Sequence, residues 1–63
     1  MPDISVVSHG TLFGLTPETE EGEQWLSDHL PEDVQCIGTT RFCEPRYAGP
    51  IVAGATMDGL VVE

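Results

Sequence analysis

Ile4-Ser5-Val6-Val7-Ser8-His9-Gly10-Thr11-Leu12-Phe13-Gly14-Leu15 is the stretch on which the architecture turns. Ile4, Val6 and Val7 open a β-rich run that resumes at Thr11, and His9-Gly10 interrupts it. The run is either one long strand with a bulge or a tight hairpin turning at Ser8-His9-Gly10. The single strand is the preferred reading, because too few residues remain for two good strands.

Thr16-Pro17-Glu18 then signals a helix start: Thr16 can cap, Pro17 suits the first helical position, and acids favour the positive N-terminal end. The helix is expected to run from Pro17 to about Leu30, where Pro31 stops it. Gly22, Trp25, Leu26, His29 and Leu30 share one sector of it, with Glu20, Glu21, Gln24, Ser27 and Asp28 opposite. Val34–Gly38 and Arg41–Glu44 read as a hairpin around Thr39-Thr40. Thr-Thr is a poor two-residue turn, so the loop is longer or Gly38 supplies the positive φ.

Glu44-Pro45 opens a second helix, expected to end at Asp58 with Gly59 as a left-handed cap. Pro50 is awkward inside it, since proline lacks the donor and crowds the preceding turn. Leu60-Val61-Val62 reads as a final strand. The order β-α-β-β-α-β predicts an α+β fold of ferredoxin-like order, an antiparallel sheet with both helices on one face. The alternative is a less regular two-layer sheet with an extra N-terminal hairpin.

The 63 residues form a single domain, 1–63, whose thin core makes stability marginal. Eleven acids against two bases give a formal net charge of -9. Arg41 and Arg46 are too few to neutralise phosphates, so direct binding to nucleic acid is excluded, as is an anionic membrane surface. A basic partner is favoured instead. Met1-Pro2-Asp3 offers no positive n-region and no apolar run approaches membrane-spanning length, so a cytosolic setting with reduced cysteines is expected.

Glu18, Glu20, Glu21, Glu23, Asp28, Glu32 and Asp33 form an acidic run with no base between them. The bland reading is a solvated helix face. The sharper one is a negative surface, centred on Glu20, Glu21, Asp28 and Glu32, that docks in a basic protein groove and imitates DNA phosphates. No acid is marked as desolvated, so a catalytic carboxylate pair has little support.

The second helix is expected to turn Tyr47, Ile51 and Ala55, with Ala48 and Val52, toward the core. Gly49, Pro50, Ala53 and Met57 face away with no charge among them. Gly49, Ala53 and Met57 are therefore candidates for self-association into a homodimer or larger homo-oligomer.

His9, His29, Cys36 and Cys43 match no zinc spacing, and no cofactor or metal is expected. A turn at Thr39-Thr40 would set Cys36 and Cys43 opposite each other as packing residues. His29 is expected to touch the sheet, Trp25 and Tyr47 to anchor the core, and Gly10, Gly14, Gly38 and Gly59 to serve turns or bulges.

Trp25-Leu26, His29-Leu30-Pro31, Glu44-Pro45-Arg46-Tyr47, Ile51-Val52 and Gly59-Leu60, entered through Leu15-Thr16-Pro17, carry a resemblance. From about Gly10 onward the chain resembles a family of short α+β proteins encoded by bacteriophages, prophages and related mobile elements. The resemblance implies a setting, the bacterial host cytoplasm, and carries over no functional residue. Glu-Pro-Arg-Tyr also reads structurally, with Glu44 or the preceding backbone capping the helix and Arg46 pairing with an acid or a carbonyl.

The resulting expectation is a non-enzymatic accessory protein that binds a host protein with a basic surface. One specific version inhibits a nucleic-acid-binding defence protein. The alternative is a homo-oligomeric structural protein associating through its second helix.

Overall fold

The computed structural model describes residues 1–31 and 34–63. The opening stretch is a hairpin and not a single strand. β1 (Ile4–His9) and β2 (Leu12–Pro17) pair antiparallel from Ile4 opposite Pro17 to His9 opposite Leu12. The turn is Gly10-Thr11, with Gly10 at φ +68 and Thr11 outside the positive-φ region. Glycine in the first of two turn positions is the type II′ solution. Because the turn takes only two residues, the run is long enough for two arms after all.

α1 (Glu20–His29) starts later than Thr16 predicts. Thr16 and Pro17 belong to β2, opposite Ser5 and Ile4, so Thr19 becomes the cap. Its Oγ1 accepts the Gly22 N–H at 3.1 Å. The second hairpin joins β3 (Cys36–Ile37) to β4 (Thr40–Cys43) through Gly38-Thr39, with Gly38 at φ +63. Moving the turn one residue back from Thr39-Thr40 puts Cys36 opposite Arg41. The two cysteines therefore share a face of the sheet without lying opposite each other: Cys43 is buried and Cys36 is exposed.

α2 (Pro45–Met57) has Pro45 in its first turn and is capped by Glu44 through backbone geometry alone. It ends at Asp58 with Gly59 at φ +90, the predicted left-handed stop. Pro50 lies inside the helix, on the outward side.

The four strands form one antiparallel sheet in the order β1-β2-β4-β3. β2 and β3 run parallel with β4 between them, and α1 connects them. The ferredoxin-like order is not the one adopted, because the hairpin inserts β1 beside β2. The expected last strand is reduced to a single parallel bridge, Val62 beside Ile4. Around that bridge Asp3 N–H donates to the Val61 carbonyl at 2.8 Å and Glu63 N–H to the Ile4 carbonyl at 3.1 Å.

Ile4 and Leu15 from the hairpin, Cys43 from β4, Trp25 and Leu26 from α1, and Ala48 and Ala55 from α2 form one core cluster. Both helices thus cover the same face of the sheet, and the strand residues that alternate with these point the other way. Gly14 is one of them. It is no turn glycine: the His9 ring lies across it, 3.0 Å from where a Cβ would sit, and meets Phe42 edge-on at 5.3 Å.

Candidate functional site

Asp3 organises the acidic end of the molecule. Its carboxylate accepts the Thr19 hydroxyl at 2.7 Å and the Val61 N–H at 2.9 Å, while its carbonyl accepts the Glu18 N–H at 2.7 Å. One residue thereby holds the start of α1, the exit of β2 and the segment along β1. The Val61 N–H, then the Thr19 hydroxyl, hold the Asp3 carboxyl below its usual range.

Further along α1, the Arg41 guanidinium grips Glu23 through two bonds of 2.8 and 2.9 Å. Arg41 reaches it from β4, on the helix side of the sheet. That bidentate contact lowers the Glu23 pKa and raises that of Arg41.

Both carboxyls bind their proton less readily folded than unfolded. They therefore stabilise the fold above their ordinary values, 3.8 for Asp3 and 4.5 for Glu23, and that contribution is lost as pH falls through the lower folded values. Melting temperatures measured from pH 5 downward should fall, and less steeply in Glu23→Gln and Asp3→Asn than in the parent. Equal slopes in all three would remove these two groups from the acid response.

The seven-acid run is thus not one uniform surface. Glu18 accepts the Ser5 hydroxyl at 2.8 Å and Glu23 is held by Arg41. Glu20 and Glu21 are exposed, and Asp28, also exposed, accepts the Gln24 amide at 3.1 Å. These three fall within about 100° of the α1 circumference and span about 12 Å of its axis. Glu32 and Asp33 lie outside the described residues.

Trp25 is a core anchor, as expected, at 9% exposure. Its indole N–H donates to Asp58 at 2.7 Å, fastening α1 to the cap of α2. His29 is exposed and not partly buried. Its ring stacks on Trp25 at 4.0 Å and 12°, and its Nδ1 is 2.8 Å from the Trp25 carbonyl oxygen. The i, i+4 spacing of Trp25 and His29 was visible in the sequence, whereas the Asp58 contact depends on how the helices meet.

On α2, Ala48 and Ala55 are buried and Ile51 packs against the core cluster. That centres the inward sector near Ala55 and leaves Tyr47 about 75° away on the flank. Tyr47 is accordingly no core anchor: it is 51% exposed and lies beneath the Arg46 guanidinium, 4.8 Å from its ring centre. Arg46 also contacts Glu44 at 3.3 Å. Gly49, Pro50, Ala53 and Met57 are all exposed, Met57 at 87%.

An open groove of about 730 Å³ lies between the end of α1, the start of α2 and the adjoining end of the sheet. Leu30, Pro31, Val34, Phe42, Cys43, Tyr47, Pro50 and Ile51 supply most of its wall, with His29 and Glu44 among its polar groups. Its size falls in the range of ligand pockets. Nothing in the sequence announced it, because its walls come from five separate segments.

Burial pushes the Cys43 thiol up in pKa, opposite to what an activated nucleophile needs. Among the described residues, no three His, Cys, Asp or Glu side chains are placed to hold a metal ion, and no helix is long and apolar enough to cross a membrane. Comparison with known proteins gives no match to a family model, a curated protein or a solved structure.

Proposed function

We propose that this chain is a non-enzymatic binding protein that docks the acidic face of α1 on a basic surface of another protein. The observation that supports this most is the division of labour among its acids. Asp3, Glu23 and Asp58 are taken up by contacts between elements of the fold, whereas Glu20, Glu21 and Asp28 are exposed on one side of α1, Asp28 accepting only from Gln24 of the same helix.

Three carboxylates over about 12 Å of helix axis cover the length of roughly three to four nucleotide steps of a single strand. A protein groove built for phosphates is a fitting partner. In the bacterial setting that the sequence resemblance implies, a host nucleic-acid-binding defence protein is the partner class.

Glu20→Gln, Glu21→Gln and Asp28→Asn combined remove three charges from exposed positions; the fold should persist, with a loss of about 0.3–1 kcal/mol for each of the two acids in the first turn of α1, and circular dichroism checks this before capture is compared. Host proteins captured by the parent at low salt should be released by raised salt and should not be captured by the triple variant. Capture that ignores both salt and the triple substitution would rule out the acidic face.

A further inference from the structure

We infer that His29 and Asp58 form an open binding site for one divalent transition-metal ion of the zinc class, bridging the end of α1 and the end of α2. His29 is the last residue of α1 and Asp58 is the C-cap of α2. The His29 Nε2 and the Asp58 Oδ2 lie 3.9 Å apart, and both side chains are about half exposed, so an ion reaches them from solvent.

The surroundings of the histidine decide which nitrogen it offers. Its Nδ1 is 2.8 Å from the Trp25 carbonyl oxygen, an atom that only accepts. In the neutral ring Nδ1 therefore carries the hydrogen, and Nε2, the nitrogen facing Asp58, keeps its lone pair. A backbone carbonyl holding one ring nitrogen while the other binds is the usual setting of a metal-bound imidazole. Asp58 is oriented by the same residue: its Oδ2 accepts the Trp25 indole N–H at 2.7 Å, and the indole stacks on the His29 ring. Trp25 is buried in the core, so both ligands are positioned from a fixed point.

The spacing suits an ion. Bonds of about 2.0–2.2 Å from zinc to nitrogen and oxygen meet at the tetrahedral angle when the two ligand atoms are about 3.4 Å apart. The pair is beyond hydrogen-bonding distance, so no direct bond has to break for it to close by about half an ångström.

Charge favours a cation at this corner. Helix C-termini carry partial negative charge, and two of them meet here. The last turn of α2 has no base, and the one in α1 is His29 itself. The chain as a whole carries a net charge of -9. An imidazole beside a carboxylate selects zinc-class ions over magnesium and calcium, which prefer oxygen alone. The two side chains leave the other coordination positions to water, which makes the site an open one.

The test is titration of the intact chain, kept reduced by a non-chelating reductant, with zinc chloride. Calorimetry and nuclear magnetic resonance of the histidine ring nitrogens read it. One ion per chain is expected, half-saturating at sub-millimolar zinc, with the His29 Nε2 resonance moving and those of His9 unmoved. The melting temperature should rise with zinc, because the folded chain alone brings the two ligands together. Magnesium at equal concentration should not compete.

His29→Gln and Asp58→Asn should each weaken binding about tenfold or more. Asparagine keeps an oxygen for the Trp25 indole, and circular dichroism checks that both variants are folded. Cys36→Ser, which removes the exposed thiol, should leave the affinity unchanged. No saturable zinc binding, binding that keeps its strength in His29→Gln or Asp58→Asn, equal competition by magnesium, or binding lost in Cys36→Ser overturns the proposal. None of these results bears on the acidic face of α1.

Discussion

Gly22→Ala is expected to destabilise the protein by about 2–4 kcal/mol, although alanine is the better helix former. In an open helix the exchange gains roughly 1 kcal/mol. Here a Cβ on Gly22 collides with the Asp3 carbonyl oxygen, a backbone atom that cannot swing aside. That oxygen also accepts the Glu18 N–H, and the Asp3 carboxylate accepts the Thr19 hydroxyl. Moving α1 away to relieve the clash stretches the contacts that seat the helix.

Overpacking costs about 1–3 kcal/mol by itself. Each strained hydrogen bond adds on the order of 1 kcal/mol. The clash therefore outweighs the propensity gain. Urea denaturation followed by circular dichroism measures the difference. Gly49→Ala, made in open space and assayed in dilute solution, serves as the comparison and should be neutral or slightly stabilising. A Gly22→Ala protein as stable as its parent would mean that α1 does not rest on Asp3.

Leu15→Ala should be comparably severe for a different reason. Leu15 is 0% exposed at the centre of β2, between Val6 of β1 and Arg41 of β4, under both helices. Truncating a leucine at such a site costs about 2–5 kcal/mol through lost burial and the cavity left behind. A chain of this length has about 3–9 kcal/mol of total stability at typical per-residue values. Leu15→Ala should therefore lower the melting temperature by tens of degrees or leave the chain largely unfolded at 37 °C, as read by thermal denaturation. A shift of only a few degrees would place Leu15 outside the core.

Features set by neighbouring residues were legible in advance. Pro45 and Gly59 bracket α2 correctly because each acts through its own backbone geometry. Trp25 and Leu26 are buried where helical spacing put them.

What was not legible depended on a choice between two nearly equal local signals. Thr16 and Thr19 can each cap a helix, and pairing of Thr16 with Ser5 decides for Thr19. Gly38-Thr39 and Thr39-Thr40 differ by one residue, yet that residue moves Cys36 from opposite Cys43 to opposite Arg41. Gly10 serves a two-residue turn as well as it would a bulge, and only the partner strand settles which.

For the candidate site, the acids were visible as residues but not as two groups. The bonds that claim Glu18 and Glu23 come from Ser5 and Arg41, which lie 13 and 18 positions away. Tyr47 was misplaced because the small residues Ala48 and Ala55, and not the largest side chain, set the rotation of α2.

The stitching of residues 61–63 along the outer side of β1 also has a cost in time. Val61 donates to Asp3 across 58 positions of sequence, so the flank of β1 stays bare until that later stretch has been made. At roughly 5–20 residues per second of synthesis, the wait is about 3–12 seconds. From the moment β1 leaves the ribosome until that stretch follows, its outer edge offers open hydrogen-bonding groups to any strand nearby.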